Sequence, residues 1–202
     1  MRDAGISTLL YLLTLTGFGA AVARATGRLR DGLADRAAAL AEEKDVVSLL
    51  AETDELTGLA NRRRLHAHLT QMLGAAATQG AISVIAFDLD GLKAVNDTQG
   101  HHAGDELLRR FAILLQRATR GRDIAARVGG DEFVMALPGT TAEGAAALGR
   151  RLEEMADREG RVSYPIRFSY GAAQYERGDS PSRVLERADA ALYDAKSRLT
   201  RA

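Results

Sequence analysis

The sequence predicts an α/β (α+β) fold, in which a mostly antiparallel central sheet is flanked by helices and preceded by a long N-terminal helix. Short apolar runs of strand type alternate with stretches of helical periodicity from residue 54 onward. The chain has 202 residues, of which 46% are hydrophobic and 27% charged, a balance typical of globular proteins. It has no cysteine, which excludes a disulfide scaffold, a thiolate zinc site and a cysteine nucleophile.

Charge is balanced over the chain, with 27 basic and 27 acidic residues. No global positive field attracts nucleic acid, so we expect no DNA or RNA partner. The only lysines are Lys44, Lys93 and Lys196, so arginine carries most of the positive charge.

Residues 4–23 are uncharged over about the 20 residues that span a bilayer as a helix. We predict a transmembrane helix in residues 1–25; an apolar helix buried against a partner and a cleaved signal peptide are the alternatives. Arg24, Arg28 and Arg30 follow, and basic residues beside a span favour the cytoplasmic side for that end.

Residues 26–53 are predicted to form a helical linker, because they contain no proline and are rich in Ala, Leu, Glu and Arg. Leu33, Leu40 and Val47 follow the heptad spacing of a coiled-coil seam. A parallel dimer and a single amphipathic helix packed on its own domain both fit so few heptads.

The first elements of the following domain come from clear signals. Asn61 caps a helix with one apolar face, residues 82–87 form an apolar strand, and residues 105–119 form an amphipathic helix. The sequence Gly-Gly-Asp-Glu between alternating runs at 124–128 and 133–137 predicts a hairpin. The remaining elements are a helix with a capping box at Thr140 and Glu143, a strand at 166–173, and a helix that begins at Ser180-Pro181.

This order is the βαββαβ arrangement of ferredoxin-like, palm-type folds. A right-handed crossover makes the first two strands parallel, and the third strand then lies beside the first. The end of the first strand therefore meets the start of the third. Four carboxylates converge at that edge of the sheet: Asp88, Asp90, Asp131 and Glu132.

Each of these carboxylates alone would fit a turn former or a solvated charge. Together they repel one another unless a cation neutralises them, which points to a divalent ion. Oxygen ligands without cysteine favour Mg²⁺ or Mn²⁺, which substrate phosphates commonly complete. The cluster therefore predicts phosphoryl or nucleotidyl transfer on a triphosphate.

Four motifs resemble those of the GGDEF family, the diguanylate cyclases. Gly129-Gly130-Asp131-Glu132-Phe133 is the signature of that family. The other three are DELTGLANRR at 54–63, FDLDGLK at 87–93 with Asn96-Asp97 and the segment 100–105, and ADAALYDAK at 188–196. The match covers about residues 54 to 196, and we assign 54–202 as a GGDEF catalytic domain.

The resemblance implies that two GTP are condensed into cyclic di-GMP and pyrophosphate in bacterial second-messenger signalling. It implies that Asp88, the backbone carbonyl of Leu89 and Asp131 ligate Mg²⁺ or Mn²⁺. Asp131 is our first choice for the base that accepts the proton of the attacking 3′-hydroxyl, with Glu132 close by.

The resemblance also assigns residues that bind GTP: Asn96 and Asp105 on guanine, Lys93 and Lys196 on phosphates, and Gly91 and Leu92 in the same nucleotide segment. Without it, Asn96 would fit a turn, Asp105 a helix N-cap, and the lysines a solvated surface. Ser197-Arg198 follows Lys196 where the family usually has Gly-Arg-Asn.

Arg120 and Asp123 stand at the position of the family's inhibitory RxxD site, where product cyclic di-GMP would bind; a turn with solvated charges is the alternative. One domain has residues for one GTP, so the resemblance implies a homodimer.

Two other functions stay open: a catalytically silent GGDEF module that acts as a receptor for cyclic di-GMP or GTP, and a membrane-tethered dimerisation protein. With the apolar run at 4–23 as a membrane anchor, the expected location is the bacterial inner membrane, with the catalytic domain in the cytoplasm. Without the anchor the protein is expected to be cytoplasmic.

Overall fold

A computed structural model of the chain describes residues 52–75, 80–158 and 164–199. The predictions for residues 1–51, including the apolar helix and the coiled coil, lie outside the described residues. Within the described ranges, no helix combines the length and the apolar character needed to cross a bilayer.

The described residues contain five strands and five helices, which we number in chain order. They are β1 (Ala60–Asn61), α1 (Arg62–Gly74), β2 (Ile82–Leu89), α2 (Leu92–Gln99), α3 (His101–Ala118), β3 (Ile124–Arg127), β4 (Glu132–Pro138), α4 (Ala142–Arg158), β5 (Phe168–Gln174) and α5 (Pro181–Leu199). The sheet order is β1-β3-β4-β2-β5, and only the β1–β3 pair is parallel. The predicted ferredoxin-like core is confirmed, including the third predicted strand (β4) beside the first (β2).

The sheet is covered on both faces, which explains why seven of the eight residues of β2 are buried. On one face, α3 and α4 pack against it around Phe87, Phe111 and Phe133. The rings of Phe111 and Phe133 meet edge to face, with centroids 4.9 Å apart. On the other face, α1 and α5 bury a second cluster that includes Leu65 and Val184.

Close contact between β5 and α5 depends on Gly171. A side chain there would collide with the backbone of α5 at Ala191 and Leu192. Gly171 therefore allows the last helix to lie directly on the sheet.

Two of the three predicted helix caps are confirmed. The Asn61 side chain accepts the Arg64 N–H at 3.0 Å, and the Ser180 hydroxyl accepts the Arg183 N–H at 3.2 Å. The prediction for Thr140 is wrong by one residue, because the Thr141 hydroxyl accepts the Gly144 N–H instead. The backbone of Thr140 is bonded to the start of β2, where its carbonyl accepts the buried Ser83 hydroxyl.

Helix α2 was not predicted, and α3 begins at His101 rather than Asp105. Asn96 therefore lies in a helix and not in a turn. Asp105 lies inside the first turns of α3, so its reading as an N-cap is wrong. The two-residue strand β1 was also missed, because so short a segment has no periodicity.

Candidate functional site

The candidate site lies where β2 ends beside the hairpin between β3 and β4. Asp88 and Glu132 are directly opposite each other across the β2–β4 ladder, so their side chains share the face that α1 and α5 cover. The Leu89 N–H donates to the Asp131 carbonyl at 3.0 Å. The predicted edge thus brings the end of β2 next to the Asp131-Glu132 pair.

The pKa of Asp90 is influenced by the neighbouring carboxylates. Burial raises its pKa above the ordinary value, as do the nearby Asp88 and Asp131 charges, while the Ser169 hydroxyl and the Lys196 charge act in the opposite direction. The Ser169 hydroxyl lies 3.1 and 3.3 Å from the two Asp90 carboxylate oxygens. Sequence reasoning missed Ser169, which only the β2–β5 pairing brings here.

Both opposed carboxylates pair with a cation from a helix. Lys196 Nζ on α5 lies 2.6 Å from Asp88 Oδ1. Arg62 Nη2, on the first residue of α1, lies 3.9 Å from Glu132 Oε2. These contacts offset the repulsion expected between like charges placed opposite each other in a sheet.

The described residues include no group of three His, Asp or Glu side chains arranged to hold a metal ion by themselves. His66 on α1 and His101 and His102 on α3 are exposed, and His68 on α1 is half-buried. Any cation at the carboxylate edge would therefore need further oxygen ligands, such as those of phosphates.

Asn96 on α2 faces the first turns of α3. Its Oδ1 is buried and accepts no hydrogen bond, and a side chain on Gly104 would collide with it. Asp105, the next residue, is half-buried. A buried amide oxygen without a partner is costly, and a ligand with N–H donors would satisfy it.

The other predicted GTP-binding residues of this segment, Gly91, Leu92 and Lys93, lie at the start of α2. Gly91 precedes the helix and Lys93 is exposed in its first turn. The Leu92 side chain packs against the core instead of pointing outward.

Two arginines that sequence reasoning missed hold the hairpin. Arg127 donates to the Gly130 carbonyl from Nη2 at 2.7 Å and from Nε at 3.2 Å, and its Nη1 lies 3.3 Å from Asp54. Arg62 Nε donates to the Val128 carbonyl at 3.1 Å. Arginine contacts to backbone carbonyls leave no pattern in a sequence.

Asp54 anchors the first motif. Its carboxylate accepts the Thr57 N–H at 2.9 Å and the Thr57 hydroxyl at 2.6 Å. Burial acts to raise the pKa of Asp54, but the bonds from Thr57 and the charge of Arg127 outweigh it and hold the pKa below the ordinary value.

Arg120 and Asp123 lie apart from the carboxylate edge, in the turn from α3 to β3. The Asp123 carboxylate accepts the Arg120 N–H at 2.8 Å, so these residues do form a turn. They also line a cavity of about 450 Å³ together with Arg151 of α4. Arg151 carried no signal in the sequence.

A ferredoxin-like core with carboxylates at one edge of its sheet defines a palm-type α/β domain. The family described as "Diguanylate cyclase, GGDEF domain" matches residues 51–201. The chain therefore belongs to the GGDEF family.

Known proteins are similar over the same region. The response regulator PleD of Caulobacter vibrioides is 37% identical over 156 residues, which cover 73% of this chain and 34% of PleD. The diguanylate cyclase DgcS of Shewanella oneidensis is 34% identical over 153 residues, 75% of this chain and 51% of DgcS. The chain thus spans about a third to a half of the length of these curated relatives.

Among solved structures, the GGDEF domain of DgcB from Caulobacter crescentus in complex with c-di-GMP superposes with a TM-score of 0.68. It is 35% identical, and the match covers 72% of this chain and 88% of that one.

Proposed function

We propose that the protein is a diguanylate cyclase, which condenses two GTP into cyclic di-GMP and two pyrophosphates. The 3′-oxygen of each GTP bonds to the α-phosphorus of the other, and the bond to the β-phosphate breaks to release pyrophosphate. The observation that carries the proposal is the intact carboxylate edge, with Asp88 opposite Glu132 and Asp131 beside them. The similarity to DgcS, a diguanylate cyclase, supports it.

Asp88, the Leu89 carbonyl and Asp131 are the residues that would hold Mg²⁺ or Mn²⁺. Two observations fit a cation there: the donors are all oxygens, and the Lys196 ammonium already pairs with Asp88. When bound, the ion would neutralise phosphate oxygens and make the hydroxyl more acidic.

The chain's own residues would bind and orient the substrate. The Asn96 Oδ1 is proposed to accept an N–H of guanine, with Asp105 accepting the other donors of that base. Lys93 and Lys196 would bind the triphosphate. Asp131 would accept the proton of the 3′-hydroxyl, with Glu132 beside it.

Arg120 and Asp123 are proposed to bind the product as an inhibitor, because they line a cavity that Arg151 extends with a second guanidinium. Guanidinium groups pair well with phosphate, and a carboxylate accepts the donors of guanine. Homologous DgcB was solved in complex with c-di-GMP, which agrees with this ligand.

We further propose that the active form is a homodimer, because one domain offers one guanine, phosphate and metal set while the product needs two GTP. The heptad spacing within residues 26–53 could align two chains. The uncharged run at 4–23 supports an anchor in the inner membrane.

Incubating the full chain with GTP and Mg²⁺ and separating the products by chromatography tests the proposal. We expect cyclic di-GMP and pyrophosphate, and little product from ATP. If the wild-type protein binds cyclic di-GMP or GTP without making product, the cyclase proposal is wrong and the chain is a catalytically silent receptor module.

A further inference from the structure

Arg62 carries an inference about how the hairpin is held. It is the first residue of α1, directly after Asn61, whose side chain caps the helix and whose backbone pairs with Arg127 of β3. The backbone of Arg62 is therefore held beside the sheet, next to the residues that flank the turn between β3 and β4.

The Arg62 guanidinium contacts residues on both sides of the turn between β3 and β4, namely Val128 and Glu132. Its Nε donates to the Val128 carbonyl at 3.1 Å, and its Nη2 lies 3.9 Å from Glu132 Oε2. The Val128 N–H in turn donates to the Glu132 carbonyl at 2.9 Å. The Arg62 guanidinium thus joins the backbone of Val128, the residue after β3, to the side chain of Glu132, the first residue of β4.

Glu132 has room to move if that contact is removed. Its side chain is 55% exposed and borders a cavity of about 270 Å³ between α1 and α5. Within the described residues, Arg62 is the one cation that pairs with it. Lys196, the other cation of this face, is 2.6 Å from Asp88.

We propose that Arg62 is a positioning residue, which fixes the Glu132 carboxylate and the hairpin at the geometry that turnover requires. The inference rests on the proposed cyclase function and deepens it. The contacts of Arg62 are with the hairpin, so its loss should slow the reaction without weakening GTP binding. A lysine has no planar fork with which to hold the two acceptors in one geometry, so it should replace arginine only in part.

The test compares Arg62→Ala and Arg62→Lys with Arg64→Ala in the full chain. Arg64 lies in the same turn of α1 and pairs with Glu52 at 3.8 Å, so it is a matched arginine that does not contact the hairpin. We expect kcat to fall about tenfold in Arg62→Ala, with KM for GTP within about twofold of wild type and an intermediate kcat in Arg62→Lys. Arg64→Ala should behave as wild type.

Amide hydrogen exchange of peptides covering residues 128–133 provides a readout without catalysis. We expect faster exchange there in Arg62→Ala than in Arg64→Ala, because the Val128 N–H donates to the Glu132 carbonyl and should open more often without Arg62. Equal kcat in the two alanine variants, or unchanged exchange in the hairpin, overturns the inference. A wild-type chain that makes no cyclic di-GMP overturns the proposed function, and the exchange data then still decide whether Arg62 fixes the hairpin.

Discussion

Lys196 Nζ lies 2.6 Å from Asp88 Oδ1, so helix α5 places the lysine ammonium group on the carboxylate near the end of β2. The same lysine is the proposed phosphate ligand. Lys196 thus connects the proposed metal ligand with the proposed triphosphate position. When a metal and GTP bind, Asp88 would exchange the lysine for the metal, and Lys196 would exchange the carboxylate for a phosphate.

Replacing Asp131 or Asp88 by asparagine should abolish turnover and leave the fold intact, because the volume is kept while a charge that the metal needs is removed. Product formation and thermal melting measure the two effects. Asp157→Asn is a control, since Asp157 pairs with Arg167 at 3.2 Å on an exposed surface. Turnover near the wild-type rate in either site variant would contradict the metal assignment.

Gly104→Ala should weaken GTP binding, because the added methyl group would collide with Asn96 Oδ1 and displace the proposed guanine ligand. We expect a loss of about 1 to 3 kcal/mol in binding free energy by calorimetry, similar to that of Asn96→Ala. Gly74→Ala is the matched control, since it is also a helical glycine and has open space around it. Unchanged GTP affinity in Gly104→Ala would remove Asn96 from the guanine site.

Arg120→Ala should raise the concentration of cyclic di-GMP that halves the rate, while the initial rate without added product stays the same. Arg151→Ala should act in the same direction, since Arg151 lines the same cavity. Arg122 is exposed and does not line the cavity, so Arg122→Ala serves as the control. If added product does not slow the wild-type enzyme, the match to an inhibitory site is accidental.

The stability contributed by Asp54 should depend on pH. Its pKa in the folded state lies below the ordinary value of 3.8, so the unfolded chain binds more protons between the two values and stability rises with pH there. The difference in unfolding free energy between wild type and Asp54→Asn should be full above about pH 5 and shrink as the pH falls through the folded pKa. Denaturant unfolding at several pH values measures it, and a constant difference would contradict the role of the Thr57 and Arg127 contacts.

Residues 52–202 alone should fold, bind GTP and turn over slowly, with a rate that rises steeply with protein concentration. Glu52 is the sensible start, because its carbonyl accepts the Asn61 N–H at 3.0 Å and the family match begins at residue 51. Fusion to an unrelated parallel coiled coil should restore turnover for some linker lengths and not for others. Full activity of the fragment at concentrations where sedimentation shows only monomer would contradict the proposal that the active form is a homodimer.

The sheet and its acidic edge could be predicted because both depend on local signals. Apolar runs identified β2 and β4, and the Gly-Gly turn fixed the hairpin, so the position of Glu132 near Asp88 followed from topology. Helix α2 could not be predicted in this way, because it has eight residues, none of them buried, and no side-chain cap.

The contacts of Arg62, Arg127 and Lys196 were also beyond the sequence, because they depend on how separate elements dock. Arg62 and Arg127 bind backbone carbonyls, which every residue type provides. The Lys196–Asp88 pair joins residues far apart in the chain, and its distance is determined by the packing of α5 on the sheet.

The contact at Gly171 extends the set of positions on which the geometry of the proposed site depends. A methyl group at that position would push α5 away from β5 and draw Lys196 away from Asp88, although Gly171 belongs to none of the four motifs. A natural or engineered variant could therefore lose the geometry of the proposed site and still keep every side chain of that site. The distance between α5 and the sheet is thus a further property on which the proposed site depends, and a search for defects confined to the signature motifs would overlook it.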